Sequence, residues 1–129
     1  MAETAVIVID GNSRSMYDTK ILGMTVFERI KKTLERVGIK RVYTIEDKKE
    51  YLLDLDGKIS NPIMLLVSPV IITEKRLEVE NDSNIIFTSN GKPIGAYIIK
   101  KDFFEILRSS SDIKTAIKKY MDEKGGKNS

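Results

Sequence analysis

Ala5-Val-Ile-Val-Ile9, then Thr25-Val-Phe-Glu-Arg-Ile-Lys-Lys-Thr-Leu-Glu-Arg-Val-Gly38, then Arg41-Val-Tyr-Thr-Ile45 are the stretches from which the fold is read. The first is a continuous apolar run, mostly β-branched, closed by the turn residues Asp10-Gly11-Asn12-Ser13. Apolarity that is continuous rather than alternating marks a strand buried on both faces, as in a parallel sheet. The second opens with a Thr-x-x-Glu capping box, Thr25 to Glu28, worth about 1 kcal/mol at a helix start. Phe27, Ile30, Leu34 and Val37 follow at helical spacing, and Gly38 stands where a left-handed terminator belongs. The third is a strand a short turn later. Strand, loop, helix, strand is a βαβ unit.

The rest of the chain extends that unit. Glu46 to Leu55 reads as a short helix, and Ile63-Met-Leu-Leu-Val67 as a third apolar strand. Ser68-Pro69 interrupts it, and Val70-Ile-Ile-Thr73 resumes in extended form; Glu74 to Glu80 is polar and ambiguous. Asn84-Ile-Ile-Phe-Thr88 and Ile94-Gly-Ala-Tyr-Ile-Ile99 are strands joined through Asn90-Gly91, the strongest short-range hairpin signal. Asp102 to Arg108 is a short helix. A second follows the cap Asp112, with Ile113, Ala116, Ile117, Tyr120 and Met121 as its stripe. The expectation is a compact three-layer, Rossmann-like α/β domain over residues 1–122, its sheet mostly parallel with one antiparallel hairpin. A flexible polar tail is expected over 123–129.

Composition excludes whole classes of chemistry. At 41% hydrophobic the 129-residue chain is no disordered segment. It has no apolar run of the ~20 residues a membrane span needs. The N-terminus does not read as a signal peptide, so a cytoplasmic setting is expected. With no Cys and no His, thiolate nucleophiles, cysteine zinc sites and histidine triads are unavailable. Any metal would be a hard ion held by carboxylates, such as Mg²⁺. A net charge of +3, few aromatics and no basic run argue against a nucleic-acid partner.

Ligands of open α/β sheets bind at the carboxyl ends of the strands. That singles out the loop after the first strand, with Gly11, Asn12, Ser13, Arg14 and Lys20. Small residues let backbone N–H groups face a phosphate, and Arg14 and Lys20 would neutralise it. The loop is neither a Walker A loop nor a dinucleotide fingerprint, and an ordinary polar loop reads the same way. Arg29, Lys31, Lys32, Arg36, Lys40 and Arg41 outnumber Glu28 and Glu35 and form either a solvated helix face or one turned to anionic lipid. Asp54 and Asp56 fit a polar loop or a Mg²⁺ site. Phe103, Phe104 and Leu107 fit the core or an interface. The Ile113–Met121 stripe fits the sheet, a partner or a dimer mate.

Ala5–Gly11, Lys20-Ile-Leu-Gly-Met-Thr-Val-Phe-Glu-Arg29 and Val37-Gly-Ile-Lys-Arg-Val-Tyr43 together resemble the start of the nucleotidyltransferases, the inositol-phosphate cytidylyltransferase branch above all. Gly91-Lys-Pro-Ile-Gly-Ala-Tyr97 is similar to a later strand of that family. Those enzymes place a metal-binding Asp just after a central strand; here Leu65-Leu-Val-Ser-Pro-Val70 occupies that place without a carboxylate. Such a shortened domain resembles the extramembrane domain of archaeal CDP-alcohol phosphotransferases, through Leu22–Arg29, Pro69-Val-Ile-Ile72 and Asp112–Met121.

The resemblance implies a non-catalytic domain of phospholipid head-group synthesis. It would hold no cofactor and at most a vestigial nucleotide site at Gly11, Asn12, Ser13, Arg14 and Lys20. Its partner would be a membrane-embedded phosphotransferase domain or the membrane surface, at the inner face of the membrane, with a homodimer also open. The alternative is a minimal active nucleotidyltransferase moving a nucleotidyl group from CTP or another NTP to a sugar or polyol phosphate. That reading requires Mg²⁺, with Asp10 as the nearest carboxylate.

Overall fold

A computed structural model describes residues 3–78, 84–124 and 127–128. In chain order the elements are β1 (Thr4–Ile9), α1 (Arg14–Tyr17), β2 (Lys20–Ile21), β3 (Met24–Thr25), α2 (Val26–Arg36), β4 (Arg41–Glu46) and α3 (Lys49–Asp54). Then come β5 (Ile63–Leu66), α4 (Glu74–Leu77), β6 (Ile85–Ser89), β7 (Lys92–Ile98), α5 (Lys100–Arg108), α6 (Ile113–Lys124) and β8 (Lys127–Asn128). The main sheet has the order β4-β1-β5-β7-β6-β8. β1 pairs parallel with both β4 and β5; β7 is antiparallel to its neighbours β5 and β6. The sheet is therefore mixed, with β7 alone running against the rest.

Every residue of β1 is buried, as its unbroken apolar run requires. Its side chains divide the core in two. Val6 and Val8 join Leu52 of α3, Phe103 and Leu107 of α5, and Ile117 and Tyr120 of α6. Ala5, Ile7 and Ile9 join Tyr17 of α1, Ile30 and Leu34 of α2, and Leu77 of α4. The three expected layers are present, and each fully buried aliphatic side chain is worth about 1.5–3 kcal/mol. The open alternatives for α5 and α6 close here. Phe103, Phe104, Leu107, Ile113, Ala116, Ile117 and Tyr120 are core residues, with Met121 packed beside them.

Local signals held where they were strongest. Thr25 and Glu28 form the reciprocal capping box, the Thr25 Oγ1 accepting from the Glu28 N–H at 3.0 Å. Gly38 takes φ +97° behind α2. Ser89 faces Lys92 across the two-residue turn Asn90-Gly91, whose φ values of +52° and +76° are those of a type I′ hairpin. Beyond that turn Ile94 bulges out of the β6–β7 register, which carries its side chain to the α2 side of the sheet. Gly95 is held between strands: a Cβ there would stand 2.7 Å from the Leu66 Cδ2 and 2.9 Å from the Leu65 carbonyl oxygen.

Four expectations are corrected. The loop to Lys20 contains the one-turn helix α1, anchored by Tyr17, which is 1% exposed. Beyond it, β2 and β3 form a small hairpin of their own, closed by Leu22-Gly23. Residues 70–73 are not a strand: Pro69 lacks a donor, and the chain leaves the sheet to bury Ile72 beneath α2 and α4. The boundary at residue 122 falls inside α6, which runs to Lys124, and Lys127–Asn128 pair parallel with Ile85–Ile86. The ambiguous stretch Glu74–Glu80 opens with α4, and its last two residues, Val79 and Glu80, lie outside the described residues.

Candidate functional site

The carboxyl ends of β1 and β5 and the turn between β6 and β7 stand at one end of the sheet, as the strand directions require. α6 begins beside them. Between them lies a cleft of about 540 Å³. Its walls are largely apolar, from Met16, Val67, Pro69, Val70, Ile94 and Ile117. Its polar groups are Asn12, Ser13, Ser68 and Ser89, with Lys92, Lys114 and Lys118 as its cations. A smaller recess of about 440 Å³ lies on the other side of Asp10, lined by Gly11, Arg14, Asp47 and Lys48.

Asp10 separates the two and is held from both sides. Its Oδ1 accepts from the Ser13 N–H at 2.7 Å, and its Oδ2 from the Lys114 ammonium at 3.2 Å. The hydrogen bonding of Ser13, aided by Lys114, keeps this carboxyl below the ordinary aspartate range against the opposing cost of burial. Among the described residues Asp10 is the one carboxylate that lines the cleft, and Ser68-Pro69 lines it just after β5. Asp47 is its opposite. Burial pushes its carboxyl up, Asp10 and Asp112 add to this, and Lys114 opposes them. The buried Asp47 Oδ1 has no hydrogen-bond partner among the described residues.

The five loop residues picked from sequence are therefore divided. Asn12 and Ser13 face the cleft, Gly11 and Arg14 face the smaller recess, and Lys20 lies on the β2–β3 hairpin outside both. The cleft's cations are Lys92, Lys114 and Lys118, which sequence reading missed. The legible signal was the i, i+4 spacing of Lys114 and Lys118, which sets two ammonium groups on one helix face. What that face looks onto depends on a contact between residues 10 and 114.

The basic residues around α2 make separate contacts within the fold. The Arg29 guanidinium donates to the Ile21 carbonyl, and the Lys31 ammonium lies 5.6 Å from the centre of the Phe27 ring. Arg36 pairs with Glu74 at 3.2 Å and Lys40 with Glu3 at 3.4 Å. Lys32 and Arg41 stand exposed. Asp56 is engaged by Lys100 at 3.3 Å and Arg108 at 3.9 Å, a structural role for the loop after α3, whose last residue is Asp54.

These features define a small mixed α/β domain with a lysine-rimmed cleft at the carboxyl end of its strands. Residues 6–127 match the family model of the CDP-alcohol phosphatidyltransferase-like N-terminal domain, and the chain belongs to that family. No curated protein matches the chain. Among the described residues, no helix is long and apolar enough to cross a membrane.

Proposed function

We propose that this chain is a non-catalytic, cytidylyltransferase-like extramembrane domain serving a CDP-alcohol phosphatidyltransferase of phospholipid synthesis, at the inner face of the membrane. One observation carries the reading: the state of Asp10. Nucleotidyl transfer needs a Mg²⁺ clamp on the triphosphate, its main source of charge stabilisation. The single carboxylate lining the cleft is engaged by Ser13 and Lys114, and no group of three acidic residues that could hold a metal occurs among the described residues. To take the ion, Asp10 would have to give up its pair with Lys114, and no second carboxylate lines the cleft among the described residues. The family match supports the link to a phosphatidyltransferase, and the resemblance of Ala5–Tyr43 to cytidylyltransferases supports the ancestry of the fold.

The three lysines of the cleft favour a second role compatible with the first, the holding of a CDP-linked or other phosphate-bearing ligand without turnover. The two are separated by one pair of measurements. Pure protein with CTP, Mg²⁺ and sugar or polyol phosphates is expected to release pyrophosphate no faster than buffer. Release above background that Lys114→Ala abolishes would overturn the non-catalytic reading. A parallel NMR titration with CTP, with and without Mg²⁺, reads ligand holding through the amides of residues 10–20.

A further inference from the structure

The β2–β3 hairpin breaks two local rules at one residue. Leu22, at its tip, is 93% exposed. Leu22 also takes φ +52°, a left-handed conformation that disfavours any bulky side chain. Asn, Asp or Gly would satisfy that turn without presenting an apolar side chain to water. A strained, solvated leucine is a backbone outlier of the kind found where a segment binds something. Ile21 beside it is also exposed, so the tip carries two apolar side chains in water.

The hairpin is held firmly from below. The Arg29 side chain donates to the Ile21 carbonyl, the Val26 N–H donates to the Thr19 carbonyl at 2.9 Å, and Thr25 at its foot caps α2. Its surroundings are cationic. Lys20 and Lys32 both act on the Glu28 carboxylate, and Arg29 stands beside them. Glu28 is engaged by the Thr25 N–H and hydroxyl. An apolar tip with an excess of basic side chains at its base matches the two layers of an anionic bilayer surface, acyl boundary beneath phosphate.

We propose that the β2–β3 hairpin is a membrane-contact finger, with Leu22 and Ile21 entering the interface of an anionic lipid surface and Lys20, Arg29 and Lys32 facing its phosphates. This goes beyond the domain's proposed role, because it assigns the contact to this hairpin and to lipid. It does not depend on the cleft, so failure of the nucleotide experiments leaves it standing, and the reverse holds.

The test is co-flotation of the intact chain with vesicles of pure phosphatidylcholine and vesicles containing phosphatidylserine, beside Leu22→Asn and Leu22→Trp. Asn suits the left-handed turn, so Leu22→Asn is expected to melt at a higher temperature than the parent while its partitioning onto phosphatidylserine vesicles falls roughly tenfold. The indole of Leu22→Trp is expected to shift to the blue on those vesicles and to be quenched by lipids brominated on their acyl chains. Absence of binding to phosphatidylserine vesicles at millimolar lipid would overturn the proposal. So would binding that Leu22→Asn leaves unchanged. Self-association abolished by Leu22→Asn in the absence of vesicle binding would also overturn it, and would make the hairpin a protein contact instead.

Discussion

Two hairpins of this domain close with nearly the same backbone and opposite chemistry. Asn90-Gly91 turns with φ values of +52° and +76°, Leu22-Gly23 with +52° and +83°. The first joins two strands of the main sheet and helps wall the cleft. The second joins two-residue strands paired only with each other. Asn90 is what a type I′ turn asks for, and Leu22 is what it resists. A turn inside a sheet has its geometry reinforced by neighbours, yet there the sequence obeys the local preference. The second turn has no neighbouring strand and is tied only at its base, by Arg29 and by the Val26 N–H, and there the preference is broken. The leucine therefore serves something other than the hairpin's own stability.

The largest break in the comparison lies in the strand behind the first turn. Gly95→Ala forces a methyl against Leu66 and the Leu65 carbonyl, and an overpacked sheet centre is expected to lose about 1–3 kcal/mol. Gly23→Ala, with open space around it, has only its left-handed φ to contend with, about 1–2 kcal/mol. Urea unfolding of both variants measures the pair, and the Gly95 variant is expected to be the less stable. Asn90→Leu makes the first turn a copy of the second. It is expected to lower stability by about 1 kcal/mol, read as a lower urea midpoint at unchanged slope. If it costs nothing, Leu22 is not strained and the contrast between the turns disappears.

The smallest expected effects lie in the loop between β1 and α1, which, like Asn90-Gly91, satisfies its own polar groups. The folded-state pKa of Asp10 is depressed, so its contribution is complete above the ordinary aspartate range and lost as pH falls through the lowered folded value. Asp47 has the reverse sign. Its folded pKa is raised by burial, so it weakens the fold at neutral pH and that cost is relieved as pH falls through the raised value. Thermal melts between about pH 3 and 7 are expected to show a modest rise on first acidification and then a fall. Asp47→Asn should remove the rise, and Asp10→Asn should weaken the fall.

Much of the fold was legible because its signals are local. The buried run of β1, the Thr25–Glu28 box, the terminator Gly38 and the Asn90-Gly91 turn each act through neighbours within a few residues. The second hairpin was hidden because Lys20–Thr25 is short and its turn begins with a leucine, which no turn rule selects. The strand expected over residues 70–73 failed for the converse reason: the residues suit a strand, but Pro69 takes the chain out of the sheet.

The candidate site was only half legible. Its place, at the end of β1, followed from the class of fold. Its charges did not. Gly11 to Lys20 are contiguous in sequence, yet the short helix α1 and the β2–β3 hairpin turn Arg14 and Lys20 away from the cleft.

The sequence by itself determined the principal strands and helices, the layering and the absence of histidine and cysteine chemistry, since periodicity, caps and composition belong to the chain alone. The tertiary structure alone decided that Lys114 would reach Asp10 across 104 residues, that Lys92 and Lys118 would face the same cleft, and that Leu22 would be left in water. The physical reason is range. A backbone preference is set by adjacent residues, whereas a charge pair or an exposed apolar tip exists only once distant segments have packed and determined what is covered.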